Sequence, residues 1–129
     1  LPQAMQGLAV VPIFAGFDPA HEAGRLFQFD VTGGRYEEQD FATSGSGSLH
    51  AGTVVKLGYS RDLSESEALF LAVKALWHAA DEDSATGGPD PIRGIYPVLA
   101  VIDGEGFRQL SDEESGAVFA DFRHELTEG

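Results

Sequence analysis

The chain has 129 residues, of which 43% are hydrophobic and 22% charged, enough for one domain with a core of its own. It contains no cysteine, which excludes a disulfide framework and thiolate metal sites and suits a reducing cytoplasm, the location expected here. The formal net charge of -13 argues against nucleic acid and anionic membrane surfaces as partners, because both recruit clustered Lys and Arg; it suits a basic partner surface.

The chain opens Leu1-Pro2-Gln3-Ala4-Met5, which reads as the tail of an interrupted helix, so the chain is expected to be a fragment or a processed product. Gly7 stops that segment as a C-cap glycine would. Leu8 to Phe17 is apolar nearly throughout and β-branched in its middle. It reads as a strand buried on both faces, too short to span a bilayer. Pro12 within it offers no ladder hydrogen bond and points to an edge or a bulge. Asp18 to Gly24 is a polar turn, and Arg25 to Thr32 a second strand with Phe29 and Val31 on one side. Gly33-Gly34 signals a two-residue hairpin, and Arg35 to Thr43 is the return strand.

From Ser44 to Ser48 the apolar period lengthens from two to three or four. Leu49, Thr53 and Leu57, with the Val54/Val55 pair, then form a helical stripe. Ser64-Glu65-Ser66-Glu67 is a capping box. The helix after it is apolar at Leu69, Val73, Leu76 and Ala80, and again at Phe70 and Trp77 on a second face. Such breadth belongs to a helix packed between layers or at a subunit contact. Pro89 and Pro91 mark a loop, Gly94 to Ile102 a β-branched strand, and Asp103-Gly104 a turn into Phe107-Arg108-Gln109-Leu110. Ser111-Asp112-Glu113-Glu114 is a second capping box, and Val118, Phe122 and Leu126 stripe the last helix. Three strands, two helices, two strands and a helix make an α+β layered domain with mostly antiparallel sheets, not a doubly wound parallel one.

Two stretches carry candidate chemistry. Asp81, Glu82 and Asp83 crowd the C-terminal end of the long helix, where the helix dipole disfavours carboxylates. Ser84-Ala85-Thr86-Gly87-Gly88 follows, so hydroxyls and a flexible backbone adjoin those acids. One reading is a solvated acidic helix end running into a Gly/Pro loop; the other is a working site, where local rules are often broken. Gly45-Ser46-Gly47-Ser48 opens a helix after a strand. Its backbone N–H groups could hold an anion or orient a polar group, or its serine could be an N-cap. The spacing matches neither a nucleophile elbow nor a phosphate-binding loop. The histidines, 21, 50, 78 and 124, include no i, i+4 helical pair, and no metal or cofactor is expected. Asp83, Ser84 and Thr86 could form a hydroxyl–carboxylate network that orients a catalytic group.

Taken together, five stretches resemble the C-terminal half or more of a bacterial, actinobacterial-type proteasome β-subunit. They are residues 4–12 (Ala-Met-Gln-Gly-Leu-Ala-Val-Val-Pro), 33–38 (Gly-Gly-Arg-Tyr-Glu-Glu), 45–49 (Gly-Ser-Gly-Ser-Leu), 83–90 (Asp-Ser-Ala-Thr-Gly-Gly-Pro-Asp) and 93–97 (Arg-Gly-Ile-Tyr-Pro). The resemblance implies a four-layer α-β-β-α sandwich of the N-terminal-nucleophile hydrolases, with residues 1–129 a single partial domain lacking its N-terminal half. It implies a threonine-type endopeptidase whose nucleophile, lysine and first aspartate lie in that absent half. Ser46, Asp83 and Thr86 match the family's orienting serine, aspartate and hydroxyl residue, which hold the threonine amine and its water; serine is frequent in the family where Thr86 stands. It also implies polypeptide substrates and α- and β-subunit partners in stacked seven-membered rings. Without the nucleophile the fragment is expected to be inactive, and without the first strands of both sheets it is expected to self-associate through open strand edges. The alternative is a truncated, non-catalytic assembly or binding module of the same fold.

Overall fold

Antiparallel hairpins build the first half of the chain. The computed structural model describes residues 12–30, 32–82 and 97–128. Strands β1 (Ile13–Asp18), β2 (Ala23–Phe29) and β3 (Arg35–Glu38) form one sheet in the order β1-β2-β3. Both pairings are antiparallel, with Ala15 opposite Leu26 and Gln28 opposite Tyr36. The β1–β2 turn is fastened by Asp18, whose carboxylate accepts from the Ala20 N–H at 2.9 Å and lies 2.7 Å from His21 Nδ1. The imidazole contact holds the Asp18 carboxyl below its ordinary pKa.

The second hairpin differs from the two-residue turn expected at Gly33-Gly34. Its loop runs from Asp30 to Gly34, with Gly33 at φ +91°, a conformation glycine adopts without strain. The Asp30 carboxylate is the reason. It accepts from the Thr32 N–H at 2.9 Å, the Thr32 hydroxyl at 2.8 Å, the Gly34 N–H at 2.7 Å and the Tyr36 hydroxyl at 2.9 Å. An Asx-type turn of this kind replaces the backbone-only hairpin. These donors, the Thr32 hydroxyl first, lower the Asp30 pKa to about 2. The bonded state is the ionised one, so its contribution is full above the unfolded-state pKa and disappears as pH falls through about 2. Asp30→Ala should therefore lower the denaturation midpoint at pH 6, with the gap to the parent closing between pH 4 and pH 2. Midpoints that differ equally at both ends of that range would show that the carboxylate charge is not involved.

Helices α1 (Ser48–Gly58) and α2 (Glu65–Glu82) follow. Reciprocal bonds form the first capping box as expected: Ser64 N–H to Glu67 Oε1 at 3.0 Å, and Glu67 N–H to Ser64 Oγ at 3.1 Å. The two helices run antiparallel, since Gly58 stands against Leu71 while Ala51 clusters with Ala75 and Ala79. Alanines at this seam bring the backbones close, and Val54 and Val55 flank them. The expected stripe is thereby corrected. Leu49 and Leu57, 77% and 83% exposed, face away from α2. Packing chose the small side chains for the contact, although hydrophobicity alone would have chosen the leucines.

The chain then forms the antiparallel pair β4 (Ala100–Asp103) and β5 (Gly106–Gln109), and closes with α3 (Asp112–Glu128). Of the strand expected over Gly94 to Ile102, residues 94–96 lie outside the described residues and 97–99 make no ladder, though Leu99 C=O accepts from Leu110 N–H at 2.9 Å. Ser111 and Glu114 form the second capping box, with bonds of 2.9 and 3.1 Å. The core comprises Val73, Leu99, Leu110, Phe119 and Phe122. Phe70 and Trp77 of α2 set their rings 6.0 and 5.6 Å from that of Phe122. α2 thus packs on α1 with one face and on α3 with the other, as its breadth of apolar residues predicted.

β1 and β2 lie against β4, and β4 with its flanks lies against α2 and α3. The described residues are therefore α+β, with antiparallel sheets and a helical layer. β1 is not buried on both faces as its composition suggested: Ile13 is 38% and Phe14 67% exposed. Among the described residues it is an edge strand of its sheet, in keeping with Pro12 beside it, and Ile13 lines a groove shared with α1 and α2; residues 8–11 of the expected strand lie outside the described residues.

Candidate functional site

The antiparallel α1/α2 pair decides what comes together. The connection between them is short, so the start of α1 and the end of α2 share one end of the pair. At that end lies the turn carrying Ser46. Gly45 has φ +103°, in the region that favours glycine. Gly47 is buried and is the N-cap of α1, with no side-chain capping bond. The simple N-cap reading of Ser46 therefore does not hold: it sits one residue earlier, exposed, at the tip of the turn. Ser48 N–H to Gly45 C=O at 3.1 Å and Ala51 N–H to Gly47 C=O at 3.0 Å lock the turn into the helix.

The last turn of α2 contains no basic residue, and its sequence ends on Asp81 and Glu82. A helix C-terminus carries partial negative charge, which favours cations over further carboxylates at such an end. Asp83 and Thr86 lie outside the described residues.

Sequence reasoning overlooked two residues around the turn. Gln28 Nε2 donates to the Thr43 carbonyl oxygen at 3.1 Å, and the Thr43 hydroxyl donates to the Ser48 carbonyl oxygen at 3.1 Å. A signal was available: Gln28 is a polar residue sharing a strand face with Leu26. Thr43 and Ser44 also line one end of an apolar groove of about 740 Å³. Its other walls are α1, α2, Ile13 of β1 and the segment 98–101. Among the described residues no group of acidic, histidine or cysteine side chains is placed to hold a metal ion.

Comparison with known proteins gives the family of the chain. The proteasome beta subunit of Streptomyces griseus is 57% identical over 118 residues, covering 92% of this chain and 42% of that protein. That of Acidimicrobium ferrooxidans is 56% identical over 112 residues (87% and 41%), and that of Acidothermus cellulolyticus 54% over 122 residues (92% and 42%). The chain thus spans about 42% of the length of these relatives, and it corresponds to their C-terminal part. The antiparallel sheets and the helical layer are consistent with an N-terminal-nucleophile-hydrolase-like sandwich. The sequence model of the family described as "Proteasome subunit" matches residues 2–92, well over half of the 129, and the chain belongs to that family.

Proposed function

We propose that residues 1–129 are one partial domain, the C-terminal portion of a β-subunit of a proteasome core particle that degrades polypeptides by threonine-type endopeptidase chemistry in the cytoplasm. Ser46, Asp83 and Thr86 hold the amine and water of a threonine nucleophile carried by the rest of the subunit. That threonine hydroxyl attacks the peptide carbonyl, its own amine taking the proton. The observation that carries this reading is the antiparallel α1/α2 pair: it sets the exposed Ser46 turn at the end where α2 finishes at Glu82, the residue before Asp83 in the sequence; Asp83 itself lies outside the described residues. A carboxylate and a hydroxyl at such an end can bind an ammonium and orient a small hydrogen-bonding group without attacking anything themselves.

The open apolar groove, the exposed Phe14 and Val98, and sheet edges that are unpaired among the described residues support a chain made to be covered. The remainder of the longer subunit and neighbouring α- and β-subunits in seven-membered rings would cover them; alone, the chain would associate with itself. The purified 129-residue chain is expected to hydrolyse no fluorogenic peptide, whereas the full-length subunit assembled in its rings does. Hydrolysis by the chain alone, surviving removal of contaminating proteases, overturns the assignment of the nucleophile to the rest of the subunit. An inactive full-length assembly favours the non-catalytic assembly module.

A further inference from the structure

Gln28 is an inward-facing polar residue with a specific occupation. Along β2 it alternates with Phe27 and shares its face with Leu26; opposite them in β1 stand Ile13 and Ala15. A carboxamide on such a face needs partners for its donors. The partner it finds is the Thr43 carbonyl at 3.1 Å, fifteen residues further along the chain. Thr43 in turn reaches over Ser44-Gly45-Ser46-Gly47 to the Ser48 carbonyl at 3.1 Å. The first bond ties the entrance of the Ser46 turn to the sheet. The second ties that entrance to its exit in α1. Gly52 leaves room for the arrangement, since a Cβ there would stand 3.2 Å from the Thr43 hydroxyl. Two glycines make the turn itself loose, because glycine loses more conformational freedom on ordering than any other residue. The backbone bonds from Ser48 and Ala51 join the turn to α1 but not to the sheet, so ties outside the turn add to the fixing of Ser46, and these two hydrogen bonds are such ties.

We infer that Gln28 and Thr43 are positioning residues for the reaction, acting through the Ser46 hydroxyl: the β2 carboxamide sets where the turn begins and the Thr43 hydroxyl sets how it enters α1. The inference rests on the orienting role given to Ser46 above. Both hold the backbone that presents Ser46.

The test uses the full-length subunit in its assembled particle, with steady-state kinetics on a fluorogenic peptide. Gln28→Leu and Thr43→Val should each lower kcat about three- to tenfold with KM within about twofold, the size of one misplaced hydrogen bond acting on the chemical step. Thr43→Ser, which keeps the hydroxyl, should restore the rate. Added to Ser46→Ala, Gln28→Leu should cost less than about a further twofold, because residues acting through one group are not additive. Amide exchange at Ser46, Gly47 and Ser48 should accelerate in Gln28→Leu while α3 is unaffected. Slow Ser46→Ala beside full-rate Gln28→Leu and Thr43→Val overturns the inference and leaves the Ser46 role standing. So do fully additive losses, or unchanged exchange at the turn. Full-rate Ser46→Ala removes the Ser46 role itself. If Gln28→Leu fails to assemble, the Thr43→Val and Thr43→Ser pair decides alone, rescue by serine being the supporting result and equal rates the opposing one.

Discussion

Asp83→Ala in the full-length, assembled subunit is expected to slow peptide turnover by about two orders of magnitude or more, the size typical of lost positioning or proton-transfer support. The reason begins with α2. Its final residues, Asp81 and Glu82, bring carboxylates to a helix C-terminus without a basic residue in the last turn. That combination raises the cost of any further negative charge unless a cation is held nearby. Asp83 adds that charge in the next position. An amine at this end would offset it, and the carboxylate would in turn hold the amine in one place. On the proposed function, removing Asp83 takes away a carboxylate that holds the amine, so kcat should fall while peptide binding changes little. Asp83→Asn, similar in shape but uncharged, should fall nearly as far. The measurement is kcat and KM on a fluorogenic peptide, with ring assembly verified by native mass. Parent-like turnover in correctly assembled Asp83→Ala would leave the acidic helix end as solvated surface.

The largest effect on stability is expected at Phe122. Its side chain is fully buried, 0% exposed, on the face of α3 that meets α2. The rings of Phe70, Trp77, His78 and Phe119 all lie within 6.5 Å of it, centroid to centroid. Truncation to alanine removes the apolar transfer term and leaves a cavity that the four packed rings cannot readily close. The expected loss is about 3–5 kcal/mol, a large share of the roughly 5–15 kcal/mol that folded domains possess. Arg123→Ala, at an exposed position on the same helix, should stay within about 0.5 kcal/mol. Urea titration followed by the fluorescence of Trp77, which touches Phe122, reads both. A Phe122→Ala midpoint equal to that of Arg123→Ala would mean that α3 is not anchored through this ring.

Local chemistry was readable without the fold. Both capping boxes are written as Ser-x-x-Glu and formed as written, because their partners are three residues apart. The order of strands and helices, the hairpins and the double-faced α2 were equally legible, since periodicity needs only the chain itself. The family was legible from short motifs, including the Gly-Ser-Gly turn. Other features depended on distant residues. The leucines of α1 turned outward because Ala51 fits the alanines of α2, twenty-four and more residues away. The Gly33-Gly34 hairpin widened because one carboxylate, Asp30, gathered four donors that no spacing rule pairs.

The amino-acid sequence by itself determined the α+β element order, the helix starts, the acidic character and the family. It also drew attention to the stretches holding Ser46 and Asp83, while the orienting roles proposed for Ser46, Asp83 and Thr86 come from the family resemblance. Only the tertiary structure decided that the Ser46 turn and the end of α2 share one end of a helix pair, and that Gln28 on β2 ties down the turn through Thr43. Those relations are contacts between segments far apart in the chain. They follow from antiparallel packing and strand register, which no local pattern encodes.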